Sequence, residues 1–304
     1  MSIHASDRAP LFSVILPTRD RPEMLPRAVS SVLSQSLPDF ELIIVDDGSV
    51  KPCDAGLPGD ARIRILRNVP SLGVAHARNM GIQAARGRYI SFLDDDDEYL
   101  PSFLQLTHES LKDSPEEIGI SWCGVRFIDD SSTPASSALP TRTFEQHNNR
   151  ESLVADFLTI GTGFGVTIKP DCLKKVGLFN DALKVASDSD MFIRILAKGF
   201  TPMALPGVHV VRHHHSGARL QSFDSIPERI RTWEWFLSQY AGFLDENPVL
   251  RTRFVNYIDT LRKKLKSSSN QASGRGRYHA SRLLSRLWKA SIRLVNGPNS
   301  EGRS

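Results

Sequence analysis

Four consecutive carboxylates, Asp94, Asp95, Asp96 and Asp97, follow directly on the apolar run YISFL at 89–93. Adjacent like charges repel unless they are solvated, protonated or neutralised by a cation, so such a run at the end of a buried strand needs a partner. Side chains alternate along an extended chain, which sends Asp94 and Asp96 to one side and Asp95 and Asp97 to the other. An Asp-x-Asp pair suits a hard divalent cation, because Mg²⁺ takes one or two carboxylates and shares its other positions with water and substrate phosphates. Two more polar clusters, PTRDR at 17–21 and DDGS at 46–49, also end apolar runs.

These clusters need a scaffold, and the hydrophobic pattern supplies one. Short apolar runs at 11–16, 40–45 and 89–93 read as buried strands, and RIRIL at 62–66 as a further short strand. The segment between the first two carries Leu25, Ala28, Val29, Val32 and Leu33 at helical spacing. Its first turn is placed at Pro22 and Glu23, with Pro26 tolerated near the start. A helix rich in small residues is predicted at 73–85. Strand, helix, strand order implies parallel pairing, and in open parallel sheets the ligand crevice lies at the carboxyl ends of the strands. The three polar clusters are therefore expected to converge there.

Beyond Pro101 the pattern predicts helices at 103–111, 153–160, 172–176 and 188–198 and strands at 118–128, 164–168 and 208–211. A polar loop is expected at 129–150. From Pro227 the texture is helical in two stretches, one holding Ile230, Trp233, Phe236 and Leu237, the other Leu250, Phe254, Ile258 and Leu261. Residues 267–276 have linker composition. In 278–295, Leu284, Leu287, Trp288 and Val295 form an apolar face beside a stripe of Arg282, Arg286, Lys289 and Arg293.

With 304 residues, 40% hydrophobic and 24% charged, the chain has the composition of an ordinary globular protein. No apolar run is long enough to span a bilayer and the first ten residues lack a signal core, so a cytoplasmic protein is expected. Cys53, Cys123 and Cys172 are far apart, which argues against a disulfide framework or a structural zinc site. The net charge of +4 hides an asymmetry: residues 261–304 carry eleven Lys or Arg against one acid, leaving −6 for residues 1–260. Such a basic amphipathic tail fits an anionic membrane surface, with the protein peripheral on its inner face. It lacks the aromatic interleaving of a nucleic-acid binder.

Over about residues 11–215 the sequence resembles glycosyltransferase family 2, the inverting enzymes of the GT-A fold. The resemblance rests on SVILPT at 13–18, FELIIVDDGS at 40–49, LGVAHARNMG at 72–81, GRYISFLDDDD at 87–97, and GLFN at 177–180 followed by ASDSDM at 186–191. It implies an α/β Rossmann-like domain with a mainly parallel central sheet flanked by helices and a helical C-terminal extension. The divisions are a leader at 1–10, a nucleotide-sugar half at 11–101, an acceptor half at 102–216, a helical extension at 217–266, and a linker with basic tail at 267–304.

The resemblance also implies roles. Pro17, Thr18 and Asp46 or Asp47 would hold the base and ribose of a nucleotide-sugar donor, and Arg78 would offset diphosphate or carboxylate charge. Asp96 is the first ligand expected for Mn²⁺ or Mg²⁺, with Asp94 sharing the metal and Asp94 or Asp95 nearer the ribose and sugar; Asp97 has no assigned role. Asp188 is the expected general base for a glycan or lipid-linked acceptor hydroxyl, with Ser187 where the family usually has Glu and Asp190 as the neighbouring candidate. Among His213, His214 and His215, one would lie near the diphosphate or a lid. The competing expectation is a GT-A-like nucleotide-binding or regulatory module without catalysis, motivated by Ser187 and by the divergent Arg19, Asp20 and Arg21.

Overall fold

The computed structural model describes residues 8–54, 56–130, 141–144, 150–214 and 225–272. Its centre is an eight-stranded sheet in the order β3-β2-β1-β4-β7-β6-β8-β5. Strands β1 (Phe12–Thr18) and β2 (Phe40–Asp47) are buried along their whole length, as continuous apolar runs require. Helix α1 (Leu25–Leu33) connects them, and β3 (Ile63–Asn68), α2 (Val74–Ala84) and β4 (Tyr89–Phe92) complete a parallel half in which β1 lies between β2 and β4. The first helix starts at Leu25, later than Pro22, with Pro26 in its first turn, where a missing N–H costs no hydrogen bond.

The second half is mixed. Strand β7 (Thr167–Ile168) runs antiparallel to both β4 and β6 (Ile118–Asp129), while β8 (Thr201–His214) runs parallel to β6. The short β5 (Asp97–Tyr99) pairs antiparallel with β8 at the edge. Helices α3 (Phe103–Leu111), α4 (Arg150–Phe157), α5 (Pro170–Val176) and α6 (Ser187–Ala197) fill the connections, and α7 (Ile226–Gln239), α8 (Ala241–Asp245) and α9 (Pro248–Ala272) follow the sheet.

Several elements differ from the sequence expectation. The strand expected at 208–211 is the middle of the 14-residue β8. Pro202, Pro206 and Gly207 disguise its length, and its ladder with β6 is interrupted by register shifts. At one of them a Cβ on Gly124 would lie 2.4 Å from the Gly207 carbonyl oxygen, so the two backbones meet where a side chain cannot fit. The strand expected at 164–168 shrinks to β7, and α9 continues through 267–272 despite its serines. Of the loop at 129–150, residues 131–140 and 145–149 lie outside the described residues, as do His215 and the basic stretch 278–295.

The chain divides into two compact units, Met1–Arg251 and Thr252–Ser304. In the second, Phe254, Ile258 and Leu261 recur on one face of α9 at spacings of four and three. Among the described residues no helix is long and apolar enough to cross a membrane.

The parallel half is locked at the end opposite the strand termini that carry the acids. The Ser13 hydroxyl donates to buried Glu41 at 2.7 Å and accepts the Gly87 N–H at 2.8 Å, while Arg64 and Arg86 donate to the same carboxylate at 2.7 and 3.0 Å. Burial pushes the Glu41 carboxyl up, but the donors Ser13, Arg64 and Arg86 outweigh it and hold the group below its ordinary range. A Cβ on Gly87 would sit 2.4 Å from the Ser13 nitrogen and 2.6 Å from the Phe12 carbonyl carbon, both backbone atoms. Gly87→Ala is therefore expected to destabilise the domain by about 2 kcal/mol or more through forced separation of β1 and β4. Urea denaturation of the two proteins would check this, and an unchanged midpoint would contradict the close approach.

Candidate active site

Strand order brings the polar ends together. Thr18 ends β1 opposite Asp46 of β2, and Leu93, one residue past β4, still bonds the Ile15 carbonyl at 3.1 Å. The chain then turns instead of staying extended: the Asp97 N–H returns to the Asp94 carbonyl at 3.1 Å, and Asp97 begins β5. The turn breaks the alternation expected of an extended chain. Asp94, Asp96 and Asp97 each present an acceptor atom within 4.8 Å of the others, while Asp95 faces β1 and accepts from the Thr18 hydroxyl at 2.7 Å. Asp94 and Asp96 are thus brought together as expected, and Asp97 joins them.

Three arginines from three elements meet these four acids. Arg78 of α2 donates to Asp94 at 2.9 Å, Arg212 of β8 donates to Asp97 at 2.9 Å, and Arg21, from the loop after β1, reaches Asp95 at 2.7 Å and Asp96 at 3.0 Å through one nitrogen. Burial drives the Asp97 carboxyl above its ordinary range; Arg212 draws it down, and the neighbouring charges of Asp94 and Asp96 push it further up. Burial also raises Asp95, against the opposing pull of Arg21 and Thr18. The set is rich in hard oxygen donors, which is the chemistry that Mn²⁺ or Mg²⁺ prefers. Asp94, Asp96 and Asp97 fit such an ion.

The other acids divide by environment. Asp46, buried near the end of β2, accepts the Ser49 N–H at 2.8 Å and the Cys53 N–H at 3.3 Å. Asp47 accepts four donors: Asn68 Nδ2 at 2.9 Å, the Ser71 hydroxyl at 2.7 Å, and the N–H groups of Leu72 and Gly73 at 2.9 Å each. Both carboxylates tie the loops that follow β2 and β3 to the end of the sheet, where they form a wall beside the acids. Gly48 completes the wall: its φ is +74°, and a Cβ there would lie 2.6 Å from the Ser71 nitrogen. Pro17 is buried beside Thr18, and Arg78 is buried beneath Asp94 with its guanidinium 5.7 Å from the Phe179 ring.

Asp188 and Asp190 share the first turn of α6 but not their surroundings. Asp190 is buried and bonded to Arg194 at 2.8 Å and to the Tyr240 hydroxyl. Arg194 in turn holds the Leu178 carbonyl at 2.8 Å. Asp188 is half-exposed, and its Oδ1 accepts the adjacent Ser189 N–H at 2.9 Å. Ala186, the residue before α6 and two before Asp188, has φ +59°, a left-handed conformation that costs a non-glycine residue about 1 kcal/mol and that recurs at functional sites.

The loop GTGFG at 161–165 ties this base candidate to the acids. A Cβ on Gly161 would lie 2.6 Å from Asp188 Oδ2, and one on Gly163 would lie 3.0 Å from the Arg212 guanidinium. Two residues of chain span only about 7 Å, so Asp188 and Arg212 lie within roughly 16 Å of each other. His213 of β8 is held away from solvent, its ring between Glu98 of β5 at 2.6 Å and Asp130, the residue after β6, at 2.7 Å. His214 stacks on Phe127 with ring centroids 5.4 Å apart.

Arg212 and the glycines of 161–165 had no role in the sequence expectation. The repeated Gly-x-Gly spacing was their visible signal; the Arg212 contact depends on register with β5, which local pattern does not reveal.

The sequence model of the family described as Glycosyl transferase family 2 matches residues 13–169, just over half of the chain. The chain belongs to glycosyl transferase family 2. It is 25% identical over 233 residues to an uncharacterised glycosyltransferase of Rickettsia typhi, covering 76% of this chain and 73% of the relative. It is 29% identical over 197 residues to the putative teichuronic acid biosynthesis glycosyltransferase TuaG of Bacillus subtilis, covering 63% of this chain and 74% of the relative. It is 38% identical over 121 residues to the uncharacterised glycosyltransferase EpsJ of the same species, covering 38% of this chain and 34% of the relative.

Among solved structures, S. aureus TarS 1–349 in complex with UDP-GlcNAc matches with a TM-score of 0.57 at 17% identity, covering 74% of this chain and 66% of that one. The TarS crystal structure that extends beyond that segment is spanned over only 39% of its length. At that identity the likeness is one of fold. This family 2 chain has the GT-A architecture, a mixed sheet flanked by helices with a helical C-terminal part.

Asp47 is the anchor that can be tested independently of any ligand. Burial alone would raise its carboxyl, but the Leu72, Asn68, Ser71 and Gly73 donors bring it below its ordinary range. A depressed folded pKa contributes stability that is present above the unfolded value of about 3.9 and is lost as pH falls through the folded value. Asp47→Asn is therefore expected to be less stable than wild type at neutral pH by about 1–3 kcal/mol, with the gap narrowing in acid below about pH 4. Urea midpoints of both proteins across that range measure the gap; a constant gap would contradict the assignment.

Proposed function

We propose that this family 2 chain is a metal-dependent inverting glycosyltransferase that moves a sugar from a nucleoside diphosphate sugar, most simply a UDP-sugar, to a hydroxyl of a glycan or lipid-linked acceptor. The observation that carries the reading is the set of Asp94, Asp96 and Asp97 at the carboxyl end of β4, with the half-exposed Asp188 reached through the 161–165 loop. That the structurally similar TarS segment binds UDP-GlcNAc supports UDP as the nucleotide.

Asp94, Asp96 and Asp97 would hold the divalent ion, whose chemistry is to neutralise charge on the diphosphate leaving group. Arg78 and Arg212 orient Asp94 and Asp97 for that task. The pocket wall built on Pro17, Thr18, Asp46 and Asp47 receives the base and ribose, and Asp95, fixed by Thr18, stands on the donor side. Asp188 takes the proton of the acceptor hydroxyl as its oxygen attacks the anomeric carbon. The bond from that carbon to the diphosphate oxygen breaks on the opposite face, its electron pair leaves with the nucleoside diphosphate, and the configuration inverts. Asp190 is already committed to Arg194 and Tyr240, which supports Asp188 as the base. The eleven basic residues of 261–304 support a protein peripheral on an anionic membrane, where a lipid-linked acceptor would be found.

The test is Mn²⁺-dependent release of UDP across a panel of UDP-sugars that includes UDP-GlcNAc. Asp96→Ala is expected to abolish turnover. Asp188→Asn is expected to lower kcat on the order of 100-fold or more while leaving Tm nearly unchanged. Asp190→Asn should lower Tm, because it breaks a buried ion pair. Undiminished turnover in Asp188→Asn would remove the base assignment. Metal-dependent UDP binding without turnover on any donor would instead favour a nucleotide-binding module.

A further inference from the structure

The three arginines of the acidic cluster are not held alike. Arg78 projects from α2, is 6% exposed, and packs by the Phe179 ring. Arg212 projects from β8, lies 5.4 Å over the Phe164 ring, and abuts Gly163 so closely that a Cβ there would meet its guanidinium at 3.0 Å. Both are fixed by regular structure and by ring packing. Arg21 comes from the loop between β1 and α1, and its side chain is 30% exposed. Just before it, Asp20 has φ +51° and is tied to the next wall by its N–H to Ser49 Oγ at 2.9 Å and by the Val50 N–H to its carboxylate at 2.7 Å.

That anchored turn fixes the backbone before Arg21, whose side chain leaves from the loop. Its Nη1 sits 3.0 Å from Asp96, one of the three carboxylates whose acceptor atoms converge, while bridging to Asp95 at 2.7 Å. A guanidinium there places a positive charge where a divalent ion would have to approach.

We propose that Arg21 is an internal counter-cation that competes with the divalent ion for Asp96 and turns to the donor diphosphate when the donor binds, so that this side chain couples metal binding to donor binding. The proposal rests on the metal-site reading above. Before the donor arrives, Arg21 offsets the repulsion between Asp95 and Asp96 and weakens the hold of the cluster on a free ion. A diphosphate presents a competing set of anionic oxygens, to which a planar guanidinium binds through paired hydrogen bonds. Releasing Asp96 then strengthens the ion site, and linkage requires the ion to strengthen donor binding by the same factor. The device discriminates against ligands without a diphosphate, because they cannot draw Arg21 away.

The test is Mn²⁺ titration of the full-length protein followed by the electron paramagnetic resonance signal of the free ion, with and without UDP. It compares wild type with Arg21→Gln, Arg19→Gln and Asp96→Asn, each first shown by circular dichroism to be folded. Arg19 lies on the same loop with a side chain 59% exposed, so Arg19→Gln reports the general effect of removing one positive charge. Arg21→Gln is expected to bind Mn²⁺ alone roughly tenfold more tightly than wild type and to show a smaller tightening by UDP, with Arg19→Gln within about twofold of wild type. Arg21→Gln binding Mn²⁺ alone no more tightly than Arg19→Gln would overturn the proposal while leaving the metal site standing. Wild-type affinity in Asp96→Asn would overturn the metal-site reading itself, and the proposal with it.

Discussion

The structure depends on neutralising four carboxylates that the chain places side by side. Asp94, Asp95, Asp96 and Asp97 could be tolerated as a solvated turn, but Asp95 and Asp97 are buried, so their charge has to be met from inside the protein. Arg78, Arg21 and Arg212 meet it, and each comes from a different part of the fold: a helix, a loop and a distant strand. Sheet order is what makes this feasible. Placing β1 between β2 and β4 brings the Arg21 loop beside the acids, and pairing β5 with β8 sets Arg212 directly opposite Asp97.

Three of the four acids keep acceptor oxygens close together, and that is their chemical value. Fully compensated acids would hold a structure together but offer nothing to a ligand. Asp47 illustrates that limit: with four donors it is saturated and shapes a wall. Among the described residues the 94–97 cluster meets the side chains of Arg78, Arg21 and Arg212, and the oxygens of Asp94, Asp96 and Asp97 converge. Carboxylates of the same type, at the ends of strands separated by β1, therefore differ in their surroundings. The same contrast separates Asp190, committed to Arg194 and Tyr240, from Asp188, two residues earlier on the same helical turn.

Much of this was legible in the sequence, for physical reasons. Strands buried on both faces leave unbroken apolar runs, so β1, β2 and β4 and the polar residues at their ends could be placed without coordinates, and the parallel crossover rule brought those ends together. Elements whose form depends on a distant partner were not legible. Asp97 to Tyr99 is a strand only because β8 lies alongside, and 201–207 is strand despite its prolines because β6 accepts it through register shifts. The even alternation expected of the acids failed for a related reason: the chain must turn after β4 to reach the sheet edge, and the turn gathers Asp97 with Asp94 and Asp96. Arg21 and Arg212 were hidden because a charge partner 74 or 115 residues away leaves no local pattern.

The stretch 161–165 shows how the two halves of the site can act as one. A Cβ at 161 would crowd the Asp188 carboxylate and one at 163 would press on the Arg212 guanidinium. Gly165 adds a φ of +62° with Cys123 and Phe103 packed against it, so the loop is shaped from beneath. A change in Arg212, which answers to Asp97, is therefore separated from Asp188 by three residues of backbone with little slack. Tight packing of that kind transmits small displacements because the interior cannot absorb them as a liquid would. The acids that would receive the donor and the carboxylate that would deprotonate the acceptor are thus bordered by one short glycine-rich stretch, close to Asp188 at one end and to Arg212 two residues on.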